Sequence, residues 1–279
     1  MRAIKDIYYV SADKDKNKKL NIKGHNGENL FIDIDFDKYR HAVQDGIIES
    51  TPTKIGKEYS NDIPLEKGDK VYFHHFVVQP DNSYIHDDKE LFKCDYPSIY
   101  CVIRDGKINM IEDWILCKPI QEPEENFIRN GLYLKPSREN IPLRAIICHI
   151  SKKAHESGLM VGDEIIFKED SDYDMMIEGD IYYRMKISSV SAILRNGELY
   201  TTKGNVIVKS VEKQKVVSNI IIVNIQKERE QYGIVVSGTE GVNIGEEVLY
   251  FLQSGTEFEY NKETFTLLKK NSILGYISQ

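Results

Sequence analysis

The chain alternates apolar and polar residues over short stretches far more often than it shows helical spacing. Residues 7–10, 70–78, 100–103, 145–150, 164–167, 206–211, 220–225, 234–236 and 248–252 are runs rich in Val, Ile, Tyr and Phe, bounded by Gly, Asn, Asp and Pro. Such runs read as strands, because β-branched and aromatic side chains suit a pleated, half-buried surface and turn residues punctuate it. One short helix is predicted over 152–159, with Ser151 as N-cap and Gly158 as terminator. The expected class is all-β.

One signature occurs three times. Gly68-Asp69-Lys70-Val71-Tyr72-Phe73 returns as Gly162-Asp163-Glu164-Ile165-Ile166-Phe167 and again as Gly245-Glu246-Glu247-Val248-Leu249-Tyr250. Each copy is a turn glycine, an acid and an alternating apolar strand. The first two copies match further, since Val102-Ile103-Arg104-Asp105-Gly106 parallels Ile193-Leu194-Arg195-Asn196-Gly197. Asp-Gly and Asn-Gly suit a two-residue type I′ hairpin, whose central residues both take positive φ. A strand closing each copy is expected at Trp114-Ile115-Leu116-Cys117-Lys118, at Asn205-Val206-Ile207-Val208-Lys209 and at Ser272-Ile273-Leu274-Gly275-Tyr276-Ile277. Polar, charged linkers at Gln121-Glu122-Pro123-Glu124-Glu125 and Glu212-Lys213-Gln214-Lys215 then divide the chain into domains at 1–121, 126–211 and 216–279.

Composition narrows the function. A net charge of −7 disfavours nucleic acid as a partner, because phosphate neutralisation needs a dense basic face. The one lysine cluster, Lys14, Lys16, Lys18 and Lys19, is interleaved with Asp13, Asp15 and Asn17 and reads as a solvated loop. Cys94, Cys101, Cys117 and Cys148 are scattered, which fits free thiols in a reducing cytoplasm. No apolar run approaches the roughly 18 residues of a membrane span, so no membrane association is expected. Seventeen tyrosines with frequent Ile, Asn and Lys are compatible with an AT-rich genome of the kind many bacterial viruses carry.

Catalytic and metal templates find no match. His74 and His75 are adjacent on an expected strand, where neighbours point to opposite faces, and the same objection separates Cys148 from His149. Asp170, Asp172 and Asp174 begin like a calcium loop, but Met175 stands at the loop's glycine position and Ile181 at its twelfth. Gly238-Thr239-Glu240-Gly241 lacks the Lys-Ser/Thr of a phosphate loop and precedes a strand. No catalytic residue, metal site or cofactor is therefore expected, and a binding role is.

Three segments resemble the GroES-like co-chaperonin family. Arg2-Ala3-Ile4-Lys5-Asp6-Ile7-Tyr8-Tyr9-Val10 is similar to its first strand, Arg-Pro-Leu-x-Asp-x-Val-x-Val. Tyr232-Gly233-Ile234-Val235-Val236-Ser237-Gly238-Thr239-Glu240-Gly241 and the Val242-Asn243-Ile244-Gly245-Glu246-Glu247-Val248-Leu249-Tyr250 that follows resemble its Gly-x-Val and Val-x-Val-Gly-Asp-x-Val-x-Phe elements. Asn271-Ser272-Ile273-Leu274 stands where the family ends in Glu-x-Asp-Ile-Leu, without the acids. The resemblance implies tandem small β-barrels, one per domain, and a non-enzymatic protein that binds a chaperonin ring or assists folding and assembly.

That family docks through a long loop after its first strand, carrying a short aliphatic anchor. The first domain has room for it, and Leu30, Phe31 and Ile32 are the candidate chaperonin-binding residues. Ile32-Asp33-Ile34-Asp35-Phe36-Asp37 also alternates as a half-buried strand would, which leaves a structural role open. The corresponding connections in the middle and last repeats read as short and without an anchor. Exposed barrel edges predict a homo-oligomer or incorporation into a larger assembly. Three covalently joined modules cannot tile the family's sevenfold ring. The alternative is therefore a phage virion structural component that reuses the barrel as a building block.

Overall fold

The computed structural model describes residues 5–14, 19–23, 29–33, 42–120, 128–129, 132–133, 143–211, 216–217, 220–221 and 230–277. Strands dominate, as expected. In the first third they are β1 (Ile7–Ser11), β2 (Lys19–Lys23), β3 (Asn29–Asp33), β4 (Asp45–Ser50), β5 (Lys70–Phe73), β6 (Ser83–His86), β7 (Lys89–Asp95), β8 (Ile99–Arg104) and β9 (Lys107–Met110). The middle holds β10 (Trp114–Pro119), β11 (Ile128–Arg129), β12 (Leu132–Tyr133), β13 (Arg144–Ile150), β14 (Glu164–Phe167), β15 (Tyr173–Ile177), β16 (Asp180–Lys186), β17 (Val190–Arg195) and β18 (Glu198–Tyr200). The last part holds β19 (Asn205–Val211), β20 (Val216–Val217), β21 (Ile220–Ile221), β22 (Glu230–Ser237), β23 (Glu247–Phe251), β24 (Gly255–Tyr260), β25 (Glu263–Lys269) and β26 (Ile273–Ile277). The expected helix is α1 (Lys152–Glu156), where Ser151 Oγ accepts the N–H of Ala154 at 3.1 Å and Gly158 follows at φ 96°.

The chain forms two compact units, 1–116 with 149–154 and 174–184, and 117–148 with 155–173 and 185–279. In the first unit an antiparallel sheet runs in the order β6-β7-β1-β4-β5-β8-β9. Tyr8, Val10, Ile48, Val71, Phe73 and Phe92 on its inner face form one buried core. Also in this unit β15, β16 and β10 lie side by side, repeating the order β6-β7-β1. In the second unit β13-β14-β17-β18 repeats β4-β5-β8-β9. A six-stranded sheet there, β24-β25-β19-β22-β23-β26, repeats β6-β7-β1-β4-β5-β8 strand for strand. Its core is Val206, Val208, Val235, Val248, Tyr250 and Leu268.

The likeness extends to single residues. The ladder slips at Tyr9/Val10 between β1 and β4, and at Ile207/Val208 between β19 and β22. It slips again at Tyr72/Phe73, Ile166/Phe167 and Leu249/Tyr250 on β5, β14 and β23. A bulge at each of these places adds local twist and lets a sheet coil around its inward side chains. Val71, Phe73, Ile165, Phe167, Val248 and Tyr250 are all buried there, as the repeat predicted.

The turn glycine explains the signature. Gly68, Gly162 and Gly245 have φ of 95°, 91° and 87°, a region that strains any residue with a Cβ. Each donates its N–H to the neighbouring strand that precedes it in the chain, to the carbonyls of Ile48, Ile147 and Val235 at 2.8, 2.9 and 2.8 Å. The acid after it caps the turn. Asp69 and Asp163 accept the N–H of Glu66 and Met160, each at 2.7 Å, and Glu246 accepts that of Asn243 at 2.9 Å. Asp105-Gly106 and Asn196-Gly197 form the expected two-residue turns, all four residues at positive φ.

Three expectations are corrected. The described residues form three large open sheets of seven, seven and six strands, none closed into a barrel. The residues expected to seal the first and second barrels do form strands, β10 and β19, but neither returns to the preceding sheet. Instead β10 lies beside β16, and β19 sits at the centre of the six-stranded sheet. Finally, β5 stops at Phe73, so His74 and His75 lie in a turn with their rings stacked, centroids 4.2 Å apart, and do not face opposite ways.

Candidate partner-binding site

In the two fully repeated sheets, the first strand and the next one in chain order are sheet neighbours: β1 pairs with β4, and β19 with β22. The chain between them is therefore not needed to build the sheet, and both connections are long. The first, from Ala12 to Gln44, carries the β2–β3 ladder, with Leu20 opposite Ile32, Asn21 opposite Phe31 and Ile22 opposite Leu30. The candidate anchor residues Leu30, Phe31 and Ile32 thus lie on one strand of a hairpin outside the seven-stranded sheet. The expected strand over 32–37 lies mostly outside the described residues, and the ladder begins earlier, at Asn29.

The expectation of short connections further along does not hold. Between β10 and β13 the chain runs from Ile120 to Leu143 and carries β11 and β12, with Ile128 opposite Tyr133 and Arg129 opposite Leu132. Between β19 and β22 it carries β20 and β21, with Val216 opposite Ile221 and Val217 opposite Ile220. Each connection therefore holds a small two-stranded ladder with apolar residues on both strands, at one place in the strand order. Sequence reasoning missed the second and third because it expected β10 and β19 to close the preceding sheets, which left the connections to be read as linkers.

Elsewhere the side chains are arranged for packing and charge pairing. Arg104 Nε and Nη2 donate to Asp69 at 2.9 and 2.6 Å, and Nη2 also donates to the carbonyl of Pro64 at 2.6 Å. The guanidinium holds the Asp69 carboxyl below the usual carboxylate range. His74 Nδ1 accepts the N–H of Phe76 at 3.2 Å, so its other nitrogen carries the proton. Burial pushes His74 down to about 4, helped by the charges of His75 and Arg184, and burial lowers His75 as well. The Arg184 guanidinium lies over the Tyr100 ring at 4.3 Å, and Trp114 meets the same ring edge-on at 4.6 Å. Among the described residues no group of three His, Cys, Asp or Glu is placed to hold a metal. Cys94, Cys101 and Cys117 are buried, and burial raises all three thiols, Cys101 to about 12. His149 meets Tyr182 edge-on, and the Cys148 thiol points to the carbonyl of Ile146 at 3.6 Å.

No helix among the described residues is long and apolar enough to cross a membrane. No curated protein matches the chain. A protein-family comparison does find a match, and it begins at Glu198, the first residue of β18, one strand ahead of the six-stranded sheet: residues 198–277 match the family described as Chaperonin 10 Kd subunit, so this part of the chain is GroES-like.

Proposed function

We propose that the chain is a row of three GroES-like modules, spanning 1–106, 107–197 and 198–277, that acts as a non-enzymatic co-chaperonin-like protein. It binds a chaperonin ring through the connections after the first strand of each module. The observation that carries this reading is the shared strand order, register slips and turn glycine of three sheets, one of which lies within the family match. These boundaries lie upstream of the polar linkers. They follow from the family match starting at Glu198 and from β9 and β18 each immediately preceding the first strand of the next module.

An apolar anchor that docks in a groove couples ordering of its loop to burial of its side chains. Leu30, Phe31 and Ile32 fill that role in the first module, with the ladders at Ile128–Arg129 and Leu132–Tyr133 and at Val216–Val217 and Ile220–Ile221 as its counterparts. Burying side chains of this kind contributes about 1.5 to 3 kcal/mol each. Capture on an immobilised, purified chaperonin ring with ATP tests the reading. The unmodified protein is retained, and the variant Leu30→Ser/Phe31→Ser/Ile32→Ser is retained less while keeping its circular dichroism. No retention of the unmodified protein refutes the reading, and fixed-stoichiometry copurification with virus particles would put a structural role in its place.

A further inference from the structure

Two hairpins of the first unit, β8–β9 and β15–β16, flank an open cleft of about 500 Å³. Gly106 and Ile108 line it from one hairpin and Ile177 and Tyr182 from the other, and His149, near the end of β13, is also in its lining. Both hairpins turn through two residues at positive φ, Asp105-Gly106 and Glu178-Gly179, so the lining residues lie at fixed distances from a tight turn.

The second unit carries the corresponding hairpins, β17–β18 and β24–β25, and there the space is filled. Counted from the turns, Gly106 and Ile108 correspond to Gly197 and Leu199, and Ile177 and Tyr182 to Tyr260 and Phe265. The Tyr260 hydroxyl donates to the Gly197 carbonyl at 3.3 Å, and Leu199 and Tyr260 pack against the buried cluster that holds Phe258, Phe265 and Leu267. Tyr260 thus bridges one hairpin to the other. Ile177 is shorter and has no hydroxyl, so it cannot make that bridge, and the cleft lies where the bridge is missing.

The lining combines an aromatic surface with acids. Tyr182 is 7% exposed, and His149 meets its ring edge-on with centroids 5.8 Å apart, which offers an apolar stem and a cationic head a ring to pack on. The carboxylates of Glu178 and Asp180 stand in the same lining, against Lys107 as its one lysine. Lys70 approaches Glu178 only to 3.6 Å, and the Tyr182 hydroxyl is 3.5 Å from Asp180 Oδ2. Both distances are longer than the roughly 2.7 to 2.9 Å of a charge-assisted hydrogen bond, and a carboxylate accepts at about four positions, so both acids keep capacity for an incoming donor.

We propose that this cleft binds a small organic cation, an alkylammonium or guanidinium group on a short apolar stem. Glu178 and Asp180 take the charged head, and Tyr182, Ile177 and Ile108 pack along the stem. A cleft of this volume is of the size that encloses a small ligand. The inference rests on the cleft and its filled counterpart, and it holds whichever partner the connections bind.

Titration of the full chain with agmatine, a guanidinium and an ammonium joined by a butyl stem, tests it by calorimetry and by amide NMR. One agmatine binds per chain with a Kd of about 1 mM or tighter, and the amides that shift are those of residues 106–109 and 177–182. Pentanoate, which has the stem without the cation, and magnesium, a cation without the stem, leave those amides in place. Glu178→Gln with Asp180→Asn weakens agmatine binding by about tenfold or more at an unchanged thermal midpoint. Ile177→Tyr, which copies Tyr260, abolishes the binding; should that variant not fold, because Ile177 is buried, the acid pair carries the test, since Glu178 and Asp180 are both exposed. No saturable binding of agmatine, equal shifts with magnesium, or binding that the acid-pair variant leaves unchanged would each overturn the proposal.

Discussion

Arg195 holds Asp163 with two nitrogens, Nε at 2.7 Å from one carboxylate oxygen and Nη2 at 2.6 Å from the other. The same Nη2 donates to the carbonyl of Gly158 at 2.7 Å, so one side chain ties the end of β17 to both sides of the glycine turn before β14. Arg104 does the same for Asp69 and Pro64 in the first sheet. The paired recurrence makes the two clamps a matched internal control. Asp163 is buried, so deleting Arg195 leaves an acceptor with only part of its donors, and a loss of about 1 to 3 kcal/mol is expected for Arg195→Ala. Asp163→Ala with Arg195→Ala should cost less than the sum of the two, by about 0.5 to 3 kcal/mol, in a double-mutant cycle read by urea denaturation. Strict additivity would show that the pair is only adjacent and not coupled.

Acid should weaken the fold first at the His74 turn. The His74 imidazole is neutral in the folded chain down to about 4, below the value of about 6.5 expected when unfolded. As pH falls the unfolded chain takes up the proton first, so the stability His74 contributes is whole above about 6.5 and is lost progressively toward about 4. The groups that face it, His75 and Arg184, both add positive charge and act in the same direction. Asp69, held below the ordinary carboxylate range by Arg104, loses its contribution only at more acid pH. His74→Gln should therefore flatten the fall of the urea midpoint over the upper window and leave the lower one unchanged. An equal slope in both proteins would contradict this.

How far the sequence could be read depended on which constraint was local. Asp105-Gly106 and Asn196-Gly197 were legible because positive φ at two successive residues leaves a small choice of amino acids. The equivalent turns at Asp87-Asp88 and Asn261-Lys262 adopt the same positive φ without glycine and gave no comparable signal. The strands β10 and β19 were found from their alternation, but alternation reports which face of a strand is buried and not which sheet receives it. That one ambiguity hid the sheets that β10 and β19 join, and with them the ladders in two of the three connections. The candidate residues Leu30, Phe31 and Ile32 were singled out through the family resemblance and their place in the loop after the first strand, and the ladder opposite Ile22, Asn21 and Leu20 could not be read that way because its strands are short and flanked by polar residues.

Hydrogen–deuterium exchange on the full chain, with and without a purified chaperonin ring and ATP, tests most directly whether the connections are where this protein meets its partner. The account predicts that added ring slows exchange in peptides covering Asn29–Asp33, Ile128–Arg129 with Leu132–Tyr133, and Val216–Val217 with Ile220–Ile221. Peptides from the sheet cores, such as β5 and β23, should exchange as before. Unchanged exchange in all three connections at a saturating concentration of ring would contradict it.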